Sequence, residues 1–137
     1  GLHQVRDGRA VAASAMRRDG VPMETAARSW RRVNGNLLLV LRRFPAERVI
    51  RTRYEDLCAS PESEMDRILR FLGAGPARPG AVLRKEEAHI IGGNPMRYRR
   101  DETTVAADER WRTELGKEDL GVFERIAGEM NRGFGYS

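Results

Sequence analysis

QVRDGRAVAAS, residues 4–14, runs from a strand end through an Arg-Asp-Gly turn into an alanine-rich helix. Leu2–Val5 reads as a short strand. Asp7 is a good N-cap, and Gly8–Arg18 follows as a helix of alanine, valine and methionine. Arg6 then falls at the carboxyl end of a strand, where ligands bind in open α/β sheets. The helix behind it presents N–H groups and a dipole that favour an anion. Ser14, two turns up that helix, can return a hydroxyl toward the same pocket. An arginine plus a hydroxyl at a helix start suits a phosphate monoester. The ordinary alternative for each arginine is a pair with a neighbouring carboxylate.

Outward from this stretch, Gly20 and Pro22 punctuate the chain. Met23–Arg43 reads as a longer helix, with Ala27, Trp30, Asn34, Leu37, Leu38 and Leu41 at helical spacing. Gly35 inside it costs about 1 kcal/mol relative to alanine. RVIRTRYEDL reads as a strand from Val49 ending near Tyr54. Ser60 and Pro61 then open a helix with Met65, Ile68, Leu69 and Leu72 as its apolar stripe, closed by Gly73. Gly73–Lys85 is loop, and the stretch up to Leu115 is mostly irregular, with a turn at Gly92–Pro95. A last helix over about Gly116–Arg132 carries Phe123, Ile126, Ala127 and Met130 on one face. Strand, helix, helix, strand and helix is the order of an α/β protein with a parallel sheet. Two strands do not make a stable sheet, so the chain is expected to be a piece of a larger fold, or to oligomerise through an exposed strand edge.

Composition narrows the partners only broadly. The 137 residues suffice for one domain with a modest core. The net charge is +5, and Lys85 and Lys117 are the only lysines. Guanidinium forks suit phosphate and sulfate, while a basic balance alone also permits nucleic-acid binding. Cys58 is the only cysteine, which excludes an internal disulfide framework and a multi-cysteine metal site. His3 and His89 lack metal-ligand spacing, so no metal is expected. No window is apolar enough to span a bilayer, and Gly1–Arg9 has no signal-peptide core. A cytoplasmic location is the expectation.

VRDGRAVAAS, the helix with Trp30 and Asn34, RVIRTRYEDL, PESEMDRILRFLG, HIIGGNPMR, Trp111 and the terminal GFGY occur in an order that resembles one family. It is the sulfotransferases that use 3′-phosphoadenosine 5′-phosphosulfate (PAPS), and the resemblance spans essentially the whole chain. It implies the C-terminal part of a P-loop-NTPase-like fold with a parallel sheet, mostly helical here, with residues 1–137 as a single partial domain. Arg6 and Ser14 would then bind the 3′-phosphate, and Tyr54, otherwise a strand-end core tyrosine, would contact adenine. Arg97 would reach a phosphate from a late loop shaped by Asn94, with Arg99 and Arg100 as neighbouring candidates. Trp30 and Trp111 read as packing residues. Gly8 stands where the family usually has proline, which predicts a looser turn.

The resemblance also implies what would lie before residue 1. The family's 5′-phosphosulfate loop and its catalytic base, a histidine or glutamate, precede the segment on which this chain opens, and no GxxxxGK[ST] loop occurs. His3, close to the start of a strand, is not assigned that role. The chain is therefore expected to hold the 3′-phosphate and adenine half and to be inactive alone. In the intact enzyme the sulfuryl group of PAPS would pass in line to a hydroxyl or amine of a small-molecule, carbohydrate or protein acceptor. No nucleic acid is expected as partner. The alternative is a non-catalytic module that binds a nucleotide or nucleic acid through its arginine-rich face.

Overall fold

A computed structural model describes residues 1–75 and 106–137. His89, Asn94 and Arg97 lie outside the described residues. Two compact units are present, one of Gly1–Glu55 with Ala107–Ser137 and one of Asp56–Ala106.

In the first unit, β1 (Leu2–Val5) and β2 (Ile50–Arg53) pair in parallel, Leu2 opposite Ile50 and Val5 opposite Arg53. Parallel strands need a long crossover, supplied here by α1 (Gly8–Asp19), α2 (Met23–Leu41) and a 3-10 turn over Ala46–Arg48. The described chain is thus mostly helical, with a small parallel sheet of two strands. Alternation decides which side chains enter the core: His3 and Val5 of β1 and Ile50 and Thr52 of β2 are buried, while Leu2 and Gln4 face outward. α1 runs one residue past the expected Arg18, to Asp19. Gly20 takes a left-handed φ of 67°, and its N–H donates to the Met16 carbonyl at 3.0 Å.

The alanines of α1 have a packing reason. Ala10, Ala12 and Ala13 are buried, and their small side chains let α1 lie close to α2. From α2, Met23, Ala26, Ala27 and Trp30 enter the same core. The Trp30 ring lies 5.9 Å from both Phe123 and Phe134, centroid to centroid. Each such aromatic pair contributes roughly 0.5–1.5 kcal/mol beyond area burial. Leu37, Leu38 and Leu41 are only half-buried, so the apolar stripe of α2 is packed mainly through its first half.

The C-terminal part of this unit holds α5 (Trp111–Glu114), α6 (Lys117–Phe123), a π turn over Glu124–Gly128 and α7 (Glu129–Gly133). α5 is a single turn, too short to show periodicity. The last three form one helical run close to the expected Gly116–Arg132, with the π turn as the departure. A four-residue step overshoots an α-turn of about 3.6 residues, whereas a π turn is wider. The mixture keeps Phe123, Ala127 and Asn131 buried together.

α3 (Tyr54–Ala59) begins directly after β2, so Tyr54 opens a helix rather than ending a strand. Glu55 and Asp56 in its first turn suit the positive end of the helix dipole. In the second unit, α4 (Pro61–Phe71) has proline at its start and a Schellman end: the Gly73 N–H bonds to the Arg70 carbonyl and the Ala74 N–H to that of Leu69. Ser60 holds the N-cap position without a side-chain capping bond. Ile68 and Leu69 are half-buried, and Met65 and Leu72 are exposed. No helix among the described residues is long and apolar enough to cross a membrane.

His3 is an acid-sensitive point in this core. Its ring is 1% exposed, stands edge-on to Phe134 at 5.5 Å, and has no hydrogen-bond partner of normal geometry on either nitrogen among the described residues. Burial pushes its pKa below the ordinary 6.5; the nearby Asn34 amide opposes this in part, and the Arg51 charge adds to it. The unfolded chain then takes up a proton that the folded chain refuses, so stability contributed by neutral His3 is lost as pH falls below 6.5. The thermal midpoint of the protein should drop between about pH 7 and pH 5, and His3→Leu should flatten that slope. Parallel slopes for the two proteins would refute this account.

Candidate functional site

The turn that carries Arg6 is held by a buried polar network. Asp7 caps α1, its Oδ1 accepting from the Arg9 N–H at 2.9 Å. The Gly8 N–H donates to Asn131 Oδ1 at 2.8 Å, and Asn131 Nδ2 donates back to Asp7 Oδ1 at 3.2 Å. The Asp7 N–H donates to Glu55 Oε1 at 3.1 Å, and the Tyr136 hydroxyl donates to Glu55 Oε2 at 2.5 Å. The backbone amides of Asp7, Gly8 and Arg9 are therefore committed to side chains, which corrects the expectation of open amides at the start of α1. Burial and the Glu55 carboxylate hold the Tyr136 phenol well above its ordinary pKa, opposed by Arg53. Tyr136 stays a neutral donor.

The two arginines of the motif have different surroundings. Arg9 is bound to its own cap, with Nε and Nη2 on the Asp7 carboxylate at 3.0 and 2.7 Å. Its Nη2 also reaches the Ser137 carbonyl at 2.8 Å, and its guanidinium lies 4.3 Å from the Trp111 ring centre. Arg6 points elsewhere. Its guanidinium stands 4.7 Å from the Tyr54 ring centre, and its Nη2 donates to the Asp108 carbonyl at 3.3 Å. The Asp108 carboxylate lies at 4.0 Å. Arg6 and Tyr54 are thus brought together from segments on either side of the crossover. Ser14 is half-buried on α1, one turn before Arg17 on the same helix face. Arg17 pairs with Glu114 and approaches the Asp108 carboxylate at 3.8 Å.

Gly8 overturns the expectation of a loose turn. A Cβ there would lie 2.6 Å from Phe123 Cζ and 2.9 Å from Trp30 Cε2, both in the aromatic core. The turn is packed tightly, and its glycine is required by that close approach.

The sequence model of the sulfotransferase family matches residues 2–75, more than half of the chain and the whole of β1 through α4. The chain belongs to the sulfotransferase family. This membership supports a sulfotransferase-type, transferase function. No curated protein and no solved structure gives a significant match. The matched region of this sulfotransferase-family chain contains Arg6, Ser14 and Tyr54; Asn131, Tyr136 and Asp108 come from the C-terminal segment beyond the match. In the sequence Glu55 and Tyr136 stand only as motif letters, and no local pattern marks Asn131 or Asp108.

A groove of about 670 Å³ lies apart from these residues, beside α2 and the C-terminal helical run. Arg28, Arg31 and Arg32 of α2, Arg42 just past its end and Arg125 line it around Leu38 and Ile126, with no carboxylate in its wall among the described residues. Arg6, Ser14 and Tyr54 take no part in it. Among the described residues no group of three or more His, Cys, Asp or Glu gathers in metal-binding geometry.

The packed glycine makes a direct test of this geometry. Gly8→Ala should destabilise the protein by about 1–3 kcal/mol through overpacking. Gly8→Pro should cost more, because it also removes the N–H that satisfies the buried Asn131 oxygen. Urea unfolding measures both; an alanine variant within about 0.5 kcal/mol of the parent would contradict the close contact.

Proposed function

We propose that the chain carries the 3′-phosphate and adenine grip of a PAPS-dependent sulfotransferase built on a P-loop-NTPase-like sheet. The observation that supports this best is the Arg6–Tyr54 pair: a cation at the carboxyl end of β1 beside an aromatic ring, both within the family-matched segment. Arg6 would neutralise the 3′-phosphate, Ser14 would donate its hydroxyl to it, and Tyr54 would offer its ring or edge to adenine. The family resemblance would add Asn94 and Arg97, which lie outside the described residues, to the groups that bind the nucleotide. In the reaction the bond from sulfur to the 5′-phosphate oxygen breaks as an acceptor hydroxyl or amine bonds to sulfur. The part of this chain is to fix the nucleotide, so that positioning and charge neutralisation lower the barrier. The acceptor is a small molecule, carbohydrate or protein group.

Adenosine 3′,5′-bisphosphate binding, measured by calorimetry, tests the reading. A hydrogen bond to a charged group is worth about 1.5–3 kcal/mol, so Arg6→Ala should weaken binding roughly ten- to hundredfold. Ser14→Ala should weaken it less, by roughly three- to tenfold. Binding that is unchanged in Arg6→Ala would end this assignment.

A second reading draws on the arginine groove beside α2. Five arginines line its wall and, among the described residues, only Arg28 pairs with a carboxylate, Glu24, an excess that suits an extended polyanion. In that case unrelated polyanions would bind with similar affinity and a steep salt dependence, and Arg31→Glu with Arg42→Glu would abolish binding while Arg6→Ala would not.

A further inference from the structure

Three guanidinium groups converge on one oxygen, Oδ2 of Asp108. Arg110 holds it at 2.8 Å and completes a fork with Nε on Oδ1 at 2.9 Å. Arg17 and Arg6 approach the same oxygen from other elements, at 3.8 and 4.0 Å. Those two distances are attractive for charges but too long for hydrogen bonds. The Asp108 carboxylate is thus forked on Arg110, while Arg17 faces it without bonding it and Arg6 bonds the Asp108 carbonyl at 3.3 Å instead of the carboxylate. Arg17 has Glu114 as a further partner, so among the described residues Asp108 and Glu114 are the carboxylates set against Arg6, Arg17 and Arg110. The Asp108 side chain is 18% exposed, where charge pairs are less screened than on the open surface. The Arg110 bonds and the Arg6 charge hold its carboxyl at about 2, against desolvation. It is a fixed negative charge at any physiological pH.

A carboxylate offers two oxygens in a plane. A tetrahedral oxyanion offers more, spread wider, and can carry a second charge. Such an anion could bond Arg6 and Arg17 at once, which the Asp108 carboxylate does not. Ser14 lies one turn before Arg17 on the same face of α1. We propose that Arg6, Arg17 and Arg110 form an oxyanion site of the phosphate class, and that Asp108 is its built-in occupant, which an entering anion displaces. Asp108 thus sets a threshold: weakly held monoanions fail to displace it and doubly charged phosphate groups succeed. Where the site is the nucleotide's own, this deepens the nucleotide reading through the shared Arg6, although it needs no adenine.

The test uses inorganic phosphate at constant ionic strength, with chloride as the control. Removing the competing charge in Asp108→Asn should tighten phosphate binding roughly five- to tenfold, and Asp108→Glu should stay close to the parent. Adding Arg17→Gln to Asp108→Asn should abolish the gain. In the unaltered protein, the Asp108 carboxyl carbon resonance should move as phosphate is added, a readout that needs no variant to fold. Phosphate binding no tighter in Asp108→Asn, a gain that survives Arg17→Gln, or a resonance unmoved by phosphate would each overturn the proposal. Bisphosphate binding weakened by Arg6→Ala but unaffected by Asp108→Asn would overturn it alone and leave the nucleotide reading intact. Phosphate tightening in Asp108→Asn without any bisphosphate binding would support it and sink the nucleotide reading.

Discussion

The missing side chain at Gly8 sets the geometry on which the rest of the first unit depends. With only hydrogen at that position, the first turn of α1 descends onto the Trp30 and Phe123 rings. At that depth its backbone N–H has no access to water and must be bonded within the protein. Asn131 supplies the acceptor from the far end of the chain. Its own amide then needs an acceptor and finds Asp7, the cap of the same helix. One close approach thereby forces a chain of polar commitments that takes in Glu55 and Tyr136. A buried polar network of this kind is stabilising only when every member is satisfied. That makes the turn rigid, and the residue it presents outward is Arg6.

Rigidity here has a chemical consequence. A helix N-terminus with open amides would bind anions without regard to their shape, using the dipole and several equivalent donors. In this protein the amides of Asp7, Gly8 and Arg9 are spent, so an anion near the turn would depend chiefly on side chains. Guanidinium forks select geometry as well as charge. The motif's two arginines divide the work accordingly. Arg9 locks the cap and the C-terminal Ser137 carbonyl in place over Trp111. Arg6 is left on the Tyr54 ring with a carboxylate at only 4.0 Å.

Local signals made much of this legible in sequence. The β-branched run at Val49–Arg53, the Asp7 cap, Gly20 past the end of α1 and the helical spacing of Ala27 and Trp30 each act over a few residues, and each element formed close to its expected bounds. Arg6, Ser14 and Tyr54 were singled out because their residue types and neighbours carry the chemistry. What sequence could not show is what lies opposite them. Gly8 and Asn131 are 123 residues apart, and Tyr136 and Glu55 are 81 apart. A buried asparagine in an amphipathic pattern looks like a surface residue until its partner is known. The glycine misled for the same reason: with no neighbour in view it reads as freedom, and against two aromatic rings it is a steric requirement. The π turn left no trace either, because it alters the face of a helix without altering its composition.

The exchange of proline for glycine at position 8 illustrates why a family pattern must be re-derived in each member. Proline at the first helical position stiffens a turn through the chain itself, by fixing φ and giving up an N–H that has no intrahelical partner. Glycine leaves the unfolded chain freer and so costs conformational entropy on folding. This protein offsets that cost with contacts: the aromatic floor accepts the bare Cα, and the N–H that proline would lack is satisfied by Asn131. The two solutions are mutually exclusive, because a pyrrolidine ring would collide with the floor that glycine permits. Stiffness has moved from a covalent ring into a tertiary network reaching from the first strand to Tyr136. The position of Arg6 therefore depends on the C-terminal tail, and damage to that tail would be felt at the turn.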